Sequence, residues 1–276
     1  MQVITEQVLR DVIKIRPEQS HKGTFGRIML IGGHNNYHGA IIMSTMAAVN
    51  AGAGLVTSVT DAKNVTALNI KLPEAMVIDM RQISQIAELI TSQDVIVIGP
   101  GLDTDDMSLA LLNLVLNHVT ADQSLVIDGS ALTLLSENDF QLPKTKITVL
   151  TPHEMEWQRV SGIPIAIQTP ANNQQAADEL GAVVVLKKHH SEIYQPNVAP
   201  QQLLVGGPYQ ATGGMGDTLA GLIGGFLAQF PDKAQATIAA TYAHSAIAEE
   251  IARDQYVVLP TQISAALPTY MARFAN

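Results

Sequence analysis

The sequence predicts an α/β fold with a doubly wound, mostly parallel central sheet and helices on both faces. Short apolar runs recur along the chain, and they end at Gly, Pro, Asp, His or other polar residues. They are nearly continuous in Val, Ile and Leu, as expected for strands buried on both faces of a parallel sheet. Helix-like stretches separate them, which is typical of a doubly wound sheet. Because such sheets bind ligands beyond the carboxyl ends of their strands, we expect the chemistry there.

The predicted strands all run directly into a turn of polar residues or glycine. In chain order they are residues 27–31, 55–59, 94–98, 124–127, 147–150 and 182–186. The predicted helices lie between or after them, over residues 40–50, 83–90, 107–117, 174–180, 218–229 and 232–253. The stretch 192–210 is rich in Pro and Gly and predicts irregular strands or a flap. No linker or repeat interrupts the pattern, so we expect a single domain over residues 1–276.

Composition narrows the class of protein. The chain has 276 residues, and 47% are hydrophobic, which is ample for a large core. It has 0 cysteines, which excludes disulfides, thiolate metal sites and a cysteine nucleophile. A net charge of -9 argues against a nucleic-acid or anionic-membrane partner. The first residues lack a secretory signal, and no run reaches the ~20 apolar residues of a membrane span. We therefore expect a soluble cytoplasmic protein.

The most informative motif is the glycine-rich turn Gly213-Gly214-Met215-Gly216-Asp217, which precedes an apolar helix. Glycines let backbone amides approach an anion, and a helix N-terminus adds roughly half a positive charge. Beside a phosphate, Asp217 could take the proton of a substrate hydroxyl while the amides stabilise the transferring phosphoryl group. The alternative is structural, because Asp is also a favoured N-cap residue for the helix that follows.

Other polar clusters follow the predicted strands. The loop from Gly32 to Ala40 leaves the first long strand and opens a helix, yet it matches neither the dinucleotide nor the Walker pattern. After another strand, His153 or Glu156 could contact a substrate or a metal-bound water. Lys187-Lys188 is the best local cation pair for phosphates. We predict no histidine-based metal site, because His189-His190 has no acidic partner at ligand spacing.

Taken together, these motifs resemble the ADP- or ATP-dependent NAD(P)H-hydrate dehydratases, a branch of the ribokinase-like superfamily. The resemblance covers nearly the whole chain as ordered blocks. They are residues 20–26, 32–40, 51–56, 73–76, 99–102, 126–128, 151–153, 185–187 and 213–217. The resemblance implies a ribokinase-like fold and the repair of NADH or NADPH hydrated on its nicotinamide ring. The nucleotide would phosphorylate the ring hydroxyl, and departure of phosphate would restore the double bond.

The resemblance also implies roles for individual residues. Asp217 is the expected catalytic base. The hydrated dinucleotide is expected to contact Ala40, Gly101, His153 and Asp217. ADP or ATP is expected to contact Lys187, Lys188, His189, His190, Ser191, Gly213, Gly214, Met215 and Gly216. Mg²⁺ is implied as a bridge between phosphates in this acidic chain, and family members tend to be homotetramers.

Three positions depart from the family pattern. Lys188 and Met155 replace glycines, and Gly207 stands where asparagine is frequent. Two alternatives therefore remain open beside the dehydratase. One is a kinase for a small alcohol, such as a vitamin precursor, which would share the Asp base and stop at the phosphorylated product. The other is a non-catalytic nucleotide-binding protein.

Overall fold

The computed structural model describes residues 1–138 and 140–276. Within them, the strands are β1 Gln2–Val3, β2 Arg27–Ile31, β3 Leu55–Thr60, β4 Met76–Asp79, β5 Val95–Ile98, β6 Ser124–Ile127, β7 Ile147–Leu150, β8 Val183–Leu186, β9 Glu192–Tyr194 and β10 Gln201–Gln202. The helices are α1 Gln7–Val12, α2 His38–Ala51, α3 Val65–Lys71, α4 Ile83–Ile90, α5 Asp106–His118, α6 Gly129–Glu137, α7 Glu154–Ser161, α8 Pro170–Leu180, α9 Met215–Gln229, α10 Lys233–Ile251 and α11 Pro260–Ala272.

The described strands form one sheet in the order β1-β10-β9-β8-β7-β6-β5-β2-β3-β4. From β8 to β4 all neighbours are parallel, whereas β9 is antiparallel to both β8 and β10. β2 pairs with β3 on one side and with β5 on the other, so the chain first winds outward to β4 and then returns to the far side of β2. This reversal is the topological switch point of the sheet, where open α/β folds place their ligands.

The sheet is buried on both faces, as the continuous apolar runs predict. Along β2, Ile28 and Leu30 join the core under α2, α9 and α10, while Met29 and Ile31 join the core under α4, α5 and α6. This alternation follows from the two-residue repeat of a strand. A smaller cluster around Trp157 packs α7 and α8 against β8 and β9. The predicted fold class is therefore confirmed.

The predicted strands 27–31, 124–127 and 147–150 have the observed bounds, and the others differ by one residue. Sequence reasoning missed β4, whose Met76 end is half exposed, and the short strand β1. The segment 192–210 contributes β9 and β10, in agreement with the prediction of irregular strands. Helices α1, α3, α6, α7 and α11 were also missed, and most of these are short or contain turn-forming residues.

Helix α10 packs within its own chain. Every residue from Ala236 to Ala248 is buried, and the helix contacts α1, α9 and α11. Small side chains thus serve close packing within this chain. The backbones of α2 and α9 approach closely, since a Cβ on Gly221 would lie 2.0 Å from the carbonyl oxygen of Ser44.

We expect Gly221→Ala to destabilise the protein by ~3 kcal/mol or more, since neither backbone can yield without disturbing the core. Thermal unfolding measures this loss. Gly39→Ala is the matched control on α2, because its Cβ would meet only Met43 Cε, at 3.8 Å. Equal melting temperatures for the two variants would contradict the close approach of α2 and α9.

Candidate active site

The loops after β2 and β5 meet at the switch point. Gly33 N donates to Pro100 O at 2.9 Å, and His34 N donates to Gly101 O at 2.7 Å. Gly101 has a φ of 61°, and a Cβ there would lie 2.7 Å from the Cβ of Ala40. The structure therefore brings together Ala40 and Gly101, two of the four predicted dinucleotide contacts, from distant parts of the chain. The close contact also explains why this position is glycine.

The glycine-rich turn opens α9 earlier than predicted. The helix begins at Met215, and its N-cap is Gly214, which has a φ of 95°. The predicted start at Thr218 was wrong, because the left-handed conformation of Gly214 turns the chain three residues sooner. The structural alternative, in which Asp217 is the N-cap, is contradicted as well, because the N-cap is Gly214. Asp217 lies inside the first turn, where backbone N–H groups have no partner within the helix. A carboxylate and free amide donors thus lie together at a helix N-terminus.

A buried ion pair lies beside this helix end. Lys187 Nζ is 2.8 Å from Asp128 Oδ1 and 3.8 Å from Glu156 Oε2. Thr151 Oγ1 also donates to Asp128 Oδ1, at 2.6 Å. A Cβ on Gly216 would lie 3.2 Å from Lys187 Nζ and 4.0 Å from Asp128 Oδ2. The ends of β6, β7 and β8 therefore deliver two carboxylates and one ammonium to the turn that carries Asp217.

The surroundings of Asp217 raise the pKa of its carboxyl to about 6. Burial is the largest cause, and the negative charge of Asp128 adds to it. Lys187 and the backbone N–H of Asp217 itself oppose the shift, while Glu156 reinforces it. The pKa therefore lies close to physiological pH, which is the range in which a carboxylate is an effective general base.

Each lysine of the predicted cation pair has a carboxylate partner. Burial lowers the pKa of Lys187, but Asp128 and Glu156 outweigh it, so that the pKa is raised and the ammonium stays charged. Lys188 Nζ lies 3.2 Å from Glu192 Oε1. The sequence indicated two cations for phosphate binding, whereas in the structure both charges are already partly neutralised by buried acids.

His153 lies next to Lys187, since the two residues form a parallel β-bridge. It is the N-cap of α7: its ring Nδ1 accepts from the backbone N–H groups of Met155 and Glu156, and its backbone N–H donates to Glu156 Oε2 at 2.8 Å. Its side chain remains 53% exposed. The ring is thus held by backbone donors at Nδ1, and its Nε2 lies 3.4 Å from Glu156 Oε1.

The remaining predicted nucleotide contacts lie in the turn between β8 and β9. The rings of His189 and His190 pack edge to face, 4.0 Å apart, and His190 has a φ of 60°. His190 Nδ1 lies 3.1 Å from Leu203 O. Within residues 1–138 and 140–276, no hydrogen bond or ion pair joins His189, His190 or Ser191 to the carboxylates of Asp128, Glu156 and Asp217. Lys187 alone among the residues of this turn reaches it.

The sequence offered Glu156 as a possible contact for a substrate or a metal-bound water, and it gave Asp128 no role of its own. Asp128 is 2% exposed and Glu156 is 8% exposed, although both are acidic. A charged residue is almost never buried without a partner. The available signal was that both acids follow predicted strands. Lys187 also follows a predicted strand, so an ion pair between them could have been expected.

The fold and the site define a ribokinase-like protein. The crystal structure of a ribokinase-like superfamily protein from Enterococcus faecalis V583 superimposes with a TM-score of 0.98, at 48% identity, covering 100% of this chain and 96% of that one. The structure of an ADP/ATP-dependent NAD(P)H-hydrate dehydratase from Bacillus subtilis, co-crystallised with ATP/Mg²⁺, gives a TM-score of 0.86 at 27% identity and covers 99% of this chain and 98% of that one.

A family model described as NAD(P)H-hydrate dehydratase matches residues 28–269. The ADP-dependent (S)-NAD(P)H-hydrate dehydratase of Lactiplantibacillus plantarum is 53% identical over 277 aligned positions, covering 100% of this chain and 99% of the relative. The enzyme of the same name from Staphylococcus aureus is 44% identical, with 99% of each chain covered. This chain belongs to the NAD(P)H-hydrate dehydratase family, as its motifs predicted.

Among the helices placed by the structure, none combines the length and the apolar character that crossing a membrane requires. In residues 1–138 and 140–276 no group of three or more His, Cys, Asp or Glu side chains is arranged to hold a metal ion.

Proposed function

We propose that this protein is an ADP-dependent (S)-NAD(P)H-hydrate dehydratase in which Asp217 is the catalytic base. The observation that carries the proposal is a half-buried carboxylate with a pKa raised to about 6, at a helix N-terminus rich in glycine. Family membership supplies the substrate class. Ala40 and Gly101 form the dinucleotide side of the site, and His153 lies on the side of Lys187. ATP is the alternative phosphoryl donor.

In the first step, the ring hydroxyl of the hydrate attacks the terminal phosphorus of ADP. Asp217 accepts the hydroxyl proton as the new O–P bond forms, and the bond to the leaving AMP breaks. The backbone amides of Met215 and Gly216 lie in the first turn of α9, where they stabilise the negative charge on the phosphoryl oxygens. Lys187 adds a positive charge beside Gly216.

In the second step, the ring C–O bond breaks and inorganic phosphate leaves. Hydroxide is a poor leaving group, whereas phosphate is a good one, so the first step makes the second possible. The ring carbon next to the one that carried the phosphate loses a proton to water, and the electrons of that C–H bond restore the double bond of the dihydronicotinamide. The balance is one hydrate and one ADP consumed for one NAD(P)H, one AMP and one phosphate.

We propose that Mg²⁺ arrives with the nucleotide and is held mainly by phosphate oxygens and water, as is usual for this ion. The structure supports an additional cation, because Lys187 and Lys188 each face a carboxylate and have little charge left for a polyphosphate. When bound, the ion supplies positive charge to the phosphate groups during transfer. The chain itself adds the amides of α9 and the fixed Lys187.

We further propose that residues 1–276 act as a single domain in the cytoplasm and assemble as a homotetramer. The sheet extends from β1 to β4 without interruption, which supports one domain. The absence of cysteine fits a reducing compartment. Exposed apolar residues near the catalytic turn support contact with another copy: Tyr256 is fully exposed, and Val257 and Leu259 are about half exposed. Light scattering in solution gives the number of subunits.

One assay tests the activity. Hydrated NADH, ADP and Mg²⁺ are mixed with the protein, and we expect near-ultraviolet absorbance to recover while AMP and phosphate form in equal amounts. A stable phosphorylated hydrate without recovery of absorbance would identify a kinase instead. Binding of ADP without any product would identify a non-catalytic nucleotide-binding protein.

The raised pKa of Asp217 predicts the pH dependence. A base acts in its deprotonated form, so kcat/KM should fall as pH drops through about 6. Below that value the loss should be about tenfold per pH unit. A rate that stays constant down to about pH 4.5 would contradict a base with this pKa.

A further inference from the structure

A chain of buried polar side chains runs from the core under α7 to the turn between β8 and β9. Trp157 Nε1 donates to Asn173 Oδ1 at 2.9 Å, and Asn173 Nδ2 donates to the hydroxyl of Tyr194 at 3.1 Å. That hydroxyl donates to Glu192 Oε2 at 2.6 Å. Glu192 Oε1 forms an ion pair with Lys188 Nζ at 3.2 Å. We call these five residues the relay.

The direction of each hydrogen bond in the relay follows from Trp157. An indole nitrogen can only donate, so the amide oxygen of Asn173 faces it and the amide nitrogen faces Tyr194. The Tyr194 oxygen therefore accepts from Asn173, and its own proton goes to Glu192. Burial, together with the hydrogen bond to Glu192, raises the pKa of Tyr194, so the phenol keeps this proton. Glu192 must therefore be an acceptor.

The acceptor at the end of the relay needs a cation. Glu192 is 5% exposed, and a buried carboxylate is costly unless a charge partner and hydrogen bonds surround it. Lys188 supplies the charge and Tyr194 supplies the hydrogen bond. Among the described residues, no buried side-chain polar atom of the relay lacks a partner. In the family pattern the position of Lys188 is a glycine, which could not provide this charge.

The ion pair closes the turn that carries the expected nucleotide contacts. Lys188 and Glu192 are four positions apart, so residues 189–191 lie between the two charges. Within this turn His190 has a φ of 60°, a conformation that persists only where the surroundings hold it. Glu192 and Tyr194 are two positions apart on β9 and share one face of the strand. The relay thus anchors the turn to α7 and α8.

We propose that Glu192 and Tyr194 are positioning residues that hold the turn 188–192 in the shape that binds ADP, with Lys188 as the link between the turn and the relay. The inference rests on the proposed function, because contact of ADP with this turn is part of that proposal. Tyr194 is fully buried and acts through Glu192 and Lys188. Loss of one link leaves buried polar groups unpaired, which loosens the turn.

Tyr194→Phe tests the relay at its centre, because it removes one hydroxyl and changes no charge. Asn173 Nδ2 and Glu192 Oε2 then lose their common partner. We expect the calorimetric Kd for ADP to rise on the order of tenfold, since a hydrogen bond to a charged group is lost. The Kd for hydrated NADH should stay close to that of the wild type, because Ala40 and Gly101 lie outside the relay.

Tyr270→Phe is the matched control. Tyr270 is also buried, at 3% exposed, but it lies on α11 and packs against Phe274, outside the relay. Its Kd for ADP should equal that of the wild type. An equal Kd for ADP in Tyr194→Phe and Tyr270→Phe would overturn the proposal.

The double variant Lys188→Met with Tyr194→Phe asks whether the two residues act as one unit. Once Lys188 is replaced, the relay no longer reaches the turn, so Tyr194→Phe should weaken ADP binding little further. Such a shared effect supports the proposal. Losses in ADP affinity that simply add would overturn it, because they would mean that the two side chains act independently.

The only tryptophan of the chain lies at the far end of the relay, so its indole N–H gives one signal in ¹⁵N-tryptophan-labelled protein. Because hydrogen bonds in a chain polarise one another, this signal should move in ligand-free Tyr194→Phe and Lys188→Met but not in Tyr270→Phe. An unmoved signal in Lys188→Met would overturn the inference. Failure of the proposed function would instead appear as no binding of ADP by the wild type, beside indole signals that move as expected.

Discussion

Replacement of Asp217 by asparagine should lower kcat for hydrated NADH by at least ~100-fold, because the base that accepts the hydroxyl proton is lost. The amide is nearly the same size and keeps the shape of the turn. Binding of ADP and of hydrated NADH should therefore remain close to that of the wild type. Steady-state turnover together with calorimetric binding measures both effects.

The same substitution should stabilise the protein. The folded-state pKa of Asp217 is about 6, above its ordinary value of 3.8. The contribution of this group to stability is therefore complete below pH 3.8 and is lost as pH rises through about 6. At pH 8 the ionised carboxylate costs the folded state about 2 kcal/mol, with partial solvation taken into account.

Asp217→Asn should thus unfold at a higher temperature than the wild type at pH 8, and the difference should vanish near pH 4, as expected from the linkage of protonation and folding. An inactive but more stable variant is the signature of a functional carboxylate held in an unfavourable environment. A variant that is inactive and less stable at pH 8 would mean that activity was lost through structural damage.

Removal of the charge of Lys187 should have the second large effect. In Lys187→Met the carboxylates of Asp128 and Asp217 lose their common counter-ion, so the pKa of Asp217 should rise further. The acid limb of kcat/KM should move to higher pH by about one unit or more. Loss of one partner from this buried pair should also destabilise the protein by about 3 kcal/mol.

Lys188→Met is the matched control. Lys188 is the next residue along the chain and pairs with Glu192, and it is not among the groups that shift the pKa of Asp217. Its removal should leave the acid limb in place even if ADP binding weakens. The phosphate of ADP also titrates with a pKa near 6. Because that titration is the same for both variants, the comparison excludes it as the cause of a shift in the acid limb. An acid limb of kcat/KM at the same pH in both variants would contradict the role of Lys187.

The double variant Lys187→Met with Asp128→Asn separates charge from packing. Removal of both members of a buried pair costs much less than removal of one. Thermal unfolding should therefore show a recovery of most of the stability lost in Lys187→Met. No recovery would mean that the aliphatic part of Lys187, rather than its ion pair, supports the site.

Much of this fold could be predicted because the strands from β2 to β8, apart from β4, are largely apolar runs that are buried on both faces. The short strand β1 pairs with β10 at the sheet edge, and its residues are exposed, so no apolar pattern marks it. The order of the strands also lay beyond local patterns, since the reversal at β2 is a property of how distant segments pair. That reversal is what brings Gly101 against Ala40.

The candidate site, like the fold, could be predicted only in part. The turn around Asp217 was identifiable because glycine spacing and a following apolar helix are local features. The partners of Asp217 were not, because Asp128 and Lys187 are 59 positions apart and meet only through the pairing of β6, β7 and β8. Lys187 was expected to serve phosphates, and its buried contact with Asp128 follows from tertiary packing alone.

The most direct measurement is a titration of the Asp217 carboxyl itself. In protein labelled with ¹³C-carboxyl aspartate, comparison with Asp217→Asn identifies its resonance, which can be followed with pH. We expect a midpoint of about 6 that coincides with the acid limb of kcat/KM. A midpoint near the ordinary 3.8, or one that does not coincide with the acid limb, would contradict the role of Asp217 as the base.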